Sequence, residues 1–154
     1  MKQRDSFFRF LFLLYVLTML WLLFCRVRDH EAGQTYWQTV MHNINLQPLR
    51  TIRNYLYVLE HHKGSRLFST AVINLGGNIF LFIPAGYLLP RLWKPMRNFF
   101  WFLLTCTAAI VLVELVQLLS LLGSCDIDDL ILNLLGMIIG FLLFTVINAF
   151  KNQK

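Results

Sequence analysis

Charged residues are scarce in this chain. They make up 14% of its 154 residues, whereas hydrophobic residues make up 57%. A soluble domain of this length rarely carries so much apolar sequence, and here the apolar residues fall in long blocks. The composition therefore argues against an ordinary soluble domain and predicts a single membrane domain over residues 1–154.

The chain also has few cysteines and histidines, and neither residue type shows a pattern that carries chemistry. The three cysteines are widely scattered, and the four histidines lie outside the apolar blocks without metal-ligand spacing. These spacings offer no disulfide framework and no zinc site. We predict no cofactor and no bound metal.

Acidic residues are outnumbered by basic ones, 8 to 14, which gives a net charge of +6. The basic residues stand at the ends of apolar blocks, as topology signals do, so we predict no nucleic-acid partner. Four spans place both termini on one side. Basic clusters at 1–9, 91–97 and 151–154 predict that this side is cytoplasmic. We expect a multi-pass protein of the cell membrane, with the acidic turn at 123–129 outside.

Four apolar blocks are long enough to cross a bilayer, at about residues 7–25, 68–92, 99–122 and 127–150. The first is interpreted as an uncleaved span because no small-residue cleavage site follows it, and a signal peptide is the alternative. The second contains glycines and Pro84, so neighbouring protein or a cavity must satisfy its freed backbone groups. The predicted fold is an all-α integral membrane protein, a four-transmembrane-helix bundle.

The connection between the first two spans contains a predicted short amphipathic helix at about residues 48–60. Pro48 suits a first helical position, and apolar residues recur on one face of the segment. We expect this helix to lie in the membrane interface. The alternative is an ordinary solvated loop helix.

Acidic and amide residues open the fourth span. At 100° per residue, Asp126, Asp129 and Asn133 share one face of this helix, whereas Asp128 points away from it. Asp126 and Asp129 are therefore candidates for a polar pocket. The structural alternative is that Asp126 caps the helix and that its neighbours favour the positive helix terminus. We expect Asp128 to lie at the start of the helix, with its side chain facing water or lipid headgroups and no further role.

The second and third spans carry matching polar faces. Glu114 and Gln117 are neighbours on the third span, and Asn74 and Asn78 are one turn apart on the second. At about 1.5 Å per residue, Glu114 lies roughly 12 Å below the outer end of its helix, Asn133 about 9 Å and Asn78 about 15 Å. These similar depths predict one polar pocket that opens to the outside.

Each of these elements also has a purely structural alternative. Membrane asparagines often hydrogen-bond between helices, and Gly136 and Gly140 permit close helix approach. Glu114 is the strongest functional candidate, because a carboxyl group inside a span must be protonated, paired or hydrated. Arg50 and Arg53 become its partners if the helix at 48–60 folds over the pocket.

Four motifs, in this order, resemble the VanZ family of small membrane proteins. They are NLQPLRTI at 45–52, NLGGNIFLFIPAG at 74–86, ELVQ at 114–117 and DIDDLILNLLG at 126–136. The likeness covers roughly residues 43–145. Family members often carry an arginine in the turn before the aspartates, where this chain has GSC. The resemblance implies a multi-pass membrane protein linked to teicoplanin-type resistance or cell-envelope stress.

We expect a non-enzymatic protein that binds a membrane lipid or a lipid-tailed glycopeptide. The candidate ligand-binding residues are Glu114, Gln117, Asp126, Asp129, Asn133, Asn74, Asn78, Arg50 and Arg53. One alternative is an intramembrane enzyme that acts on an envelope lipid, with paired carboxylates or a metal held by oxygen ligands. Another is a small ion-coupled transporter, for which four spans would require a homo-oligomer.

Overall fold

The computed structural model describes residues 2–24 and 35–152, and within them it contains seven α-helices and two short strands. In chain order these are α1 (Lys2–Phe24), α2 (Tyr36–His42), β1 (Ile44–Asn45), α3 (Arg50–His61), α4 (Arg66–Phe80), α5 (Ile83–Leu92), α6 (Phe99–Leu119), β2 (Cys125–Asp126) and α7 (Ile127–Asn152). A 3-10 turn at Lys94–Arg97 joins α5 to α6. The predicted end of the first span at Cys25, and the last lysine of the C-terminal basic cluster, lie outside the described residues.

Within the described residues, four segments are long and apolar enough to cross a membrane, and they confirm the predicted all-α membrane bundle. They are Asp5–Phe24, Arg66–Leu92, Phe99–Leu119 and Ile127–Lys151. The third ends three residues earlier than the sequence predicts, because the chain turns there through Leu121 at a φ of 57°. Which side of a membrane the termini occupy stays a prediction.

The second span is broken into α4 and α5, as its composition predicts. The break lies at Leu81 and Phe82, just before Pro84, which has no backbone N–H to continue the helix. The Tyr15 hydroxyl of α1 donates a hydrogen bond to the Leu81 carbonyl oxygen at 3.0 Å. A neighbouring helix therefore satisfies a carbonyl group at the break.

Helices α5 and α7 form the closest seam in the bundle. A side chain at Gly86 would collide with the Met137 carbonyl oxygen, and one at Gly140 would collide with the Ile83 carbonyl oxygen. Gly136 meets the α4 backbone at Ile79 in the same way. The glycines of α7 thus permit close helix approach, which is the structural alternative that the sequence left open.

The helix predicted at 48–60 is present as α3, and it packs against α4 and the beginning of α7. It begins later than expected. Pro48 precedes the helix, and Leu49 occupies the N-cap position with a φ of 64°. Its position in a membrane interface stays a prediction. The sequence reasoning missed the shorter α2, which begins with a capping box between Thr35 and Gln38.

The buried core lies where α1, α5, α6 and α7 meet. It consists of Met19, Phe82, Ala85, Phe102, Cys106, Ile110, Met137 and Phe141. Glu114 follows Ile110 by one turn on the same face of α6, and both are buried. The apolar core therefore gives way directly to polar side chains.

Candidate functional site

The turn between α6 and α7 is tied to the long connection that precedes α3. Strand β2 pairs in parallel with β1, with Ile44 opposite Cys125 and Asn45 opposite Asp126. The Cys125 backbone N–H donates to the Asn43 carbonyl oxygen at 2.9 Å. This pairing brings the beginning of α3 onto the beginning of α7.

Asp126 is buried, and each of its carboxylate oxygens accepts a hydrogen bond. Oδ1 accepts from the Asp128 backbone N–H at 2.9 Å, which makes Asp126 the N-cap of α7. Oδ2 accepts from the Thr51 hydroxyl at 2.6 Å and from Asn45 Nδ2 at 3.1 Å. The capping role that the sequence offered for Asp126 is therefore present. Its carboxylate joins α7 to the connection before it.

The sequence prediction for Asp128 is wrong. The residue does not face water or headgroups but is fully buried. Its Oδ1 accepts from the Leu49 N–H at 2.6 Å, and its Oδ2 accepts from the N–H groups of Thr51 at 2.7 Å and Ile52 at 3.1 Å. The physical reason is that Leu49, the N-cap of α3, has no side-chain oxygen, so a carboxylate from α7 serves the free N–H groups. We call Asp126, Asp128, Asn45 and Thr51 the loop clamp.

Beside the loop clamp lies a polar cavity of about 130 Å³ between α1, α4, α6 and α7. Six of the nine sequence-predicted residues line it: Asn74, Asn78, Glu114, Gln117, Asp129 and Asn133. The remaining wall includes apolar side chains of α1 and the turn residues Gly123 and Ser124. The three polar faces thus meet in one cavity. Whether these residues bind a ligand stays a prediction.

Several of the cavity's polar side chains are used in holding helices together. Asn78 Nδ2 donates to Asp129 Oδ1 at 2.5 Å, which joins α4 to α7. Gln117 Nε2 donates to the Leu23 carbonyl oxygen at 2.9 Å, which joins α6 to α1. Asn74 Nδ2 donates within its own helix to the Thr70 carbonyl oxygen at 2.8 Å. For Asn78, the interhelical role that the sequence left open is therefore present.

Glu114 and Asn133 differ from these residues. Their relative exposures are 7% and 5%, yet Glu114 Oε2 and Asn133 Oδ1 have no hydrogen-bond partner among the described residues. The Asp126 backbone N–H donates a hydrogen bond to the Glu114 carboxylate, and the carboxylates of Asp129 and Asp126 repel it. A buried acceptor without a donor is costly, at about 1–3 kcal/mol. These two atoms therefore mark the place in the cavity where a hydrogen-bond donor is missing.

A second, apolar cavity of about 310 Å³ adjoins the first between α1, α5, α6 and α7. Its wall is built from aliphatic and aromatic side chains, with Tyr15, Glu114 and Asn133 as its polar members. Glu114 and Asn133 also line the polar cavity, so they lie where the two spaces join. The combined space is polar at one end and apolar at the other.

Comparison with known proteins now bears on this arrangement. A family model described as VanZ/LLP1 matches residues 12–148. The chain belongs to the VanZ/LLP1 family. It is similar to Protein VanZ of Enterococcus faecium, with 24% identity over 146 residues that cover 95% of this chain and 78% of the relative. No solved structure matches it. The family resemblance seen in the sequence motifs is confirmed.

Three predicted site residues of this VanZ/LLP1 chain lie outside the polar cavity. Asp126 belongs to the loop clamp, and Arg50 and Arg53 are exposed on α3. Among the described residues neither arginine forms a salt bridge with Glu114, so the pairing considered from the sequence is not present. Asp128 docks the first turn of α3 on α7, and this arrangement leaves both arginines at the protein surface.

The sequence reasoning missed Asn45 and Thr51, whose side chains donate to Asp126. Both lie in the first motif of the family resemblance, but no periodicity on α7 points to them.

In the described part of the chain, no group of three or more His, Cys, Asp or Glu residues is arranged to hold a metal ion. Burial raises the pKa of the Cys125 thiol in the turn, and the negative charges of Glu114 and Asp126 raise it further.

Proposed function

We propose that this VanZ/LLP1 protein is a non-enzymatic cell-membrane protein that binds an amphiphilic ligand, a lipid or a lipid-tailed glycopeptide, in the polar cavity. Through that binding it contributes to resistance against teicoplanin-type glycopeptides, as the family resemblance implies. Membership in the VanZ/LLP1 family supports the envelope role. One structural observation supports the binding role: two buried acceptors, Glu114 Oε2 and Asn133 Oδ1, have no partner among the described residues.

The physical argument rests on the cost of those two atoms. Burying an acceptor without a donor is unfavourable, and the cost is larger for a charged group. A carboxylate inside a membrane span is rare unless it is paired or serves a function. A ligand that donates hydrogen bonds to Glu114 and Asn133 removes this cost, and its binding is favoured for that reason.

The position of the cavity suits an envelope ligand. Its wall includes Gly123 and Ser124 in the turn between α6 and α7, at the end of the bundle that the basic residues predict to be outside. A ligand held there lies at the outer surface of the membrane, where a lipid-tailed glycopeptide inserts. In this proposal the protein sequesters or displaces the ligand without chemical change.

Resistance tests the proposal in living cells. Wild-type protein and the Glu114→Gln variant are expressed in a glycopeptide-susceptible host, and the inhibitory concentration of teicoplanin is measured. We expect wild type to protect and the variant to lose most of that protection, because the variant lacks the buried charge. Glu60→Gln is the matched control, since Glu60 is an exposed carboxylate on α3.

Membrane abundance is measured for every variant in the same cells. Equal abundance with lost protection supports a binding role for Glu114. Full protection by Glu114→Gln at equal abundance contradicts it, and absence of protection by wild type contradicts the resistance role. Native mass spectrometry of the detergent-purified protein then tests binding directly, with co-purified lipid expected on wild type and depleted on Glu114→Gln.

A further inference from the structure

The polar and apolar cavities lie side by side and together are amphiphilic. They share five wall residues: Met19, Leu23, Phe82, Glu114 and Asn133. A water-soluble ligand would leave the apolar part unfilled, and a pure hydrocarbon would leave the two acceptors unpaired. The space therefore matches a molecule with a polar head and an apolar chain.

The polar part of this space offers acceptors and negative charge. Glu114 Oε2 and Asn133 Oδ1 have no described partner, and Asp129 adds a further carboxylate to the wall. The Gln117 amide already donates to Leu23, and the Tyr15 hydroxyl already donates to Leu81. No Lys, Arg or His stands among the described wall residues. The complementary headgroup is a cation that carries several N–H donors, which describes a primary ammonium group.

The apolar part opens at the side of the bundle. Two of its wall residues, Leu20 on α1 and Ala109 on α6, are exposed, although the cavity extends inward to buried Ile110. Helix α1 packs on α5, and the cavity fills the space between α1 and α6. Because the exposed faces of these helices are apolar, the opening lies toward lipid rather than water. An acyl chain has a lateral path into the space between α1 and α6.

We propose that the ligand is a membrane amphiphile with a primary ammonium headgroup, which donates hydrogen bonds to Glu114 and Asn133 while its acyl chain occupies the apolar cavity. This inference rests on the proposed function and specifies the chemical class of its ligand. The chain reaches the cavity from the bilayer between α1 and α6. The N–H donors, not the positive charge alone, distinguish this ligand from a quaternary ammonium lipid.

Three probes separate the parts of this proposal. Palmitoyl lysophosphatidylethanolamine carries both the N–H donors and the chain. Palmitoyl lysophosphatidylcholine keeps the chain, phosphate and charge but has no N–H donor, and glycerophosphoethanolamine has the headgroup without a chain. Each is titrated against the detergent-purified full-length protein and followed by native mass spectrometry. We expect the ethanolamine lysolipid to bind at least about tenfold tighter than either of the others.

Two matched pairs of variants locate the site. Ala109→Trp places a bulky side chain in the apolar opening, and Ala108→Trp places it on an exposed position of α6 outside the cavity wall. We expect Ala109→Trp to weaken binding of the ethanolamine lysolipid by about tenfold and Ala108→Trp to leave it unchanged. Glu114→Gln should remove most of the preference for ethanolamine over choline, whereas Glu60→Gln keeps it. Helicity and elution volume verify that each variant is folded.

The outcomes distinguish this inference from the proposed function. Equal binding of the two lysolipids overturns the ammonium headgroup but leaves amphiphile binding standing. Equal binding of the chain-free probe, or unchanged binding by folded Ala109→Trp, overturns the acyl-chain site. Binding of neither lysolipid overturns the inference alone, whereas the proposed function is overturned by full teicoplanin protection in Glu114→Gln cells at equal abundance.

Discussion

The loop clamp and the polar cavity are neighbours at the beginning of α7, and both contain buried acidic groups. In the loop clamp, both oxygens of Asp126 and both oxygens of Asp128 accept hydrogen bonds from the chain itself. In the cavity, Glu114 Oε2 and Asn133 Oδ1 find no donor in the described structure. All four carboxylate oxygens of the loop clamp are thus paired, whereas one carboxylate oxygen and one amide oxygen of the cavity are not.

This difference separates the structural role of the loop clamp from the binding role that we propose for the cavity. A buried carboxylate whose oxygens all accept hydrogen bonds holds chain segments together, and its removal exposes their donors. A buried carboxylate with one unused oxygen can still accept a hydrogen bond from the chain on its other oxygen, and the unused oxygen is available to a ligand. Abundance of acidic residues near a membrane boundary is therefore a poor guide to function, whereas the supply of donors around each one is a good guide.

The largest expected effect comes from breaking the saturated region. Asp128→Ala leaves three backbone N–H groups at the beginning of α3 without their acceptor. We expect the free energy of unfolding to fall by about 3 kcal/mol, at roughly 1 kcal/mol for each lost hydrogen bond. Denaturation in detergent micelles, followed by circular dichroism, measures this. Asp5→Ala is the control, because Asp5 is exposed and its ion pair with Arg91 is a 4.0 Å contact at the surface.

A change of less than about 1 kcal/mol for Asp128→Ala, equal to that expected for the surface pair, would contradict the loop clamp. Hydrogen exchange sharpens the result. Amide protons at the beginning of α3 should lose protection in Asp128→Ala, while those in the middle of α6 keep it.

A smaller effect tests whether the cavity is a local feature or part of a loosely packed bundle. Gly86→Ala places a methyl group against the Met137 carbonyl oxygen, and we expect a loss of about 2 kcal/mol from overpacking. The added methyl group of Gly77→Ala on α4 meets no described residue within 4 Å, so the stability of this variant should stay equal or rise by up to about 1 kcal/mol. The same denaturation assay compares the two. If Gly86→Ala were as stable as Gly77→Ala, the α5–α7 seam would be loose and the cavity would not be distinctive.

The smallest expected change in stability belongs to the unsaturated region. Glu114→Gln replaces a carboxyl group whose Oε2 has no described partner. We therefore expect the free energy of unfolding to stay within about 1 kcal/mol of wild type. This near-neutral result should accompany the loss of protection proposed above. A destabilisation as large as that of Asp128→Ala would show that Glu114 is structural, and the comparison between the two regions would fail.

Much of the helical fold could be predicted from local patterns. Long apolar blocks mark the four spans, and Pro84 marks the break between α4 and α5 because it lacks a backbone N–H. Helical periodicity also placed Glu114, Asn78 and Asn133 on faces that line the same cavity. These features depend on residues close in sequence, so a single helix geometry is enough to deduce them.

The roles of the aspartates could not be deduced in this way. Helical periodicity on α7 correctly predicts that Asp128 points away from the cavity. It does not predict that the distant segment at 49–52 covers Asp128 and donates hydrogen bonds to it. The unpaired Oε2 of Glu114 could not be deduced either, because the sequence offers Arg50 and Arg53 as possible partners for it. Their exposure follows from how α3 docks.

The sequence by itself determined that this protein is a four-span membrane bundle of the VanZ type, because hydrophobicity, helix breaks and motif order are local properties of the chain. Only the tertiary structure decided which acidic residues are satisfied and which remain open. The reason is that a hydrogen bond needs its donor within about 3 Å. Apart from the Asp128 N–H that Asp126 caps, the donors for Asp126 and Asp128 lie more than seventy positions away along the chain.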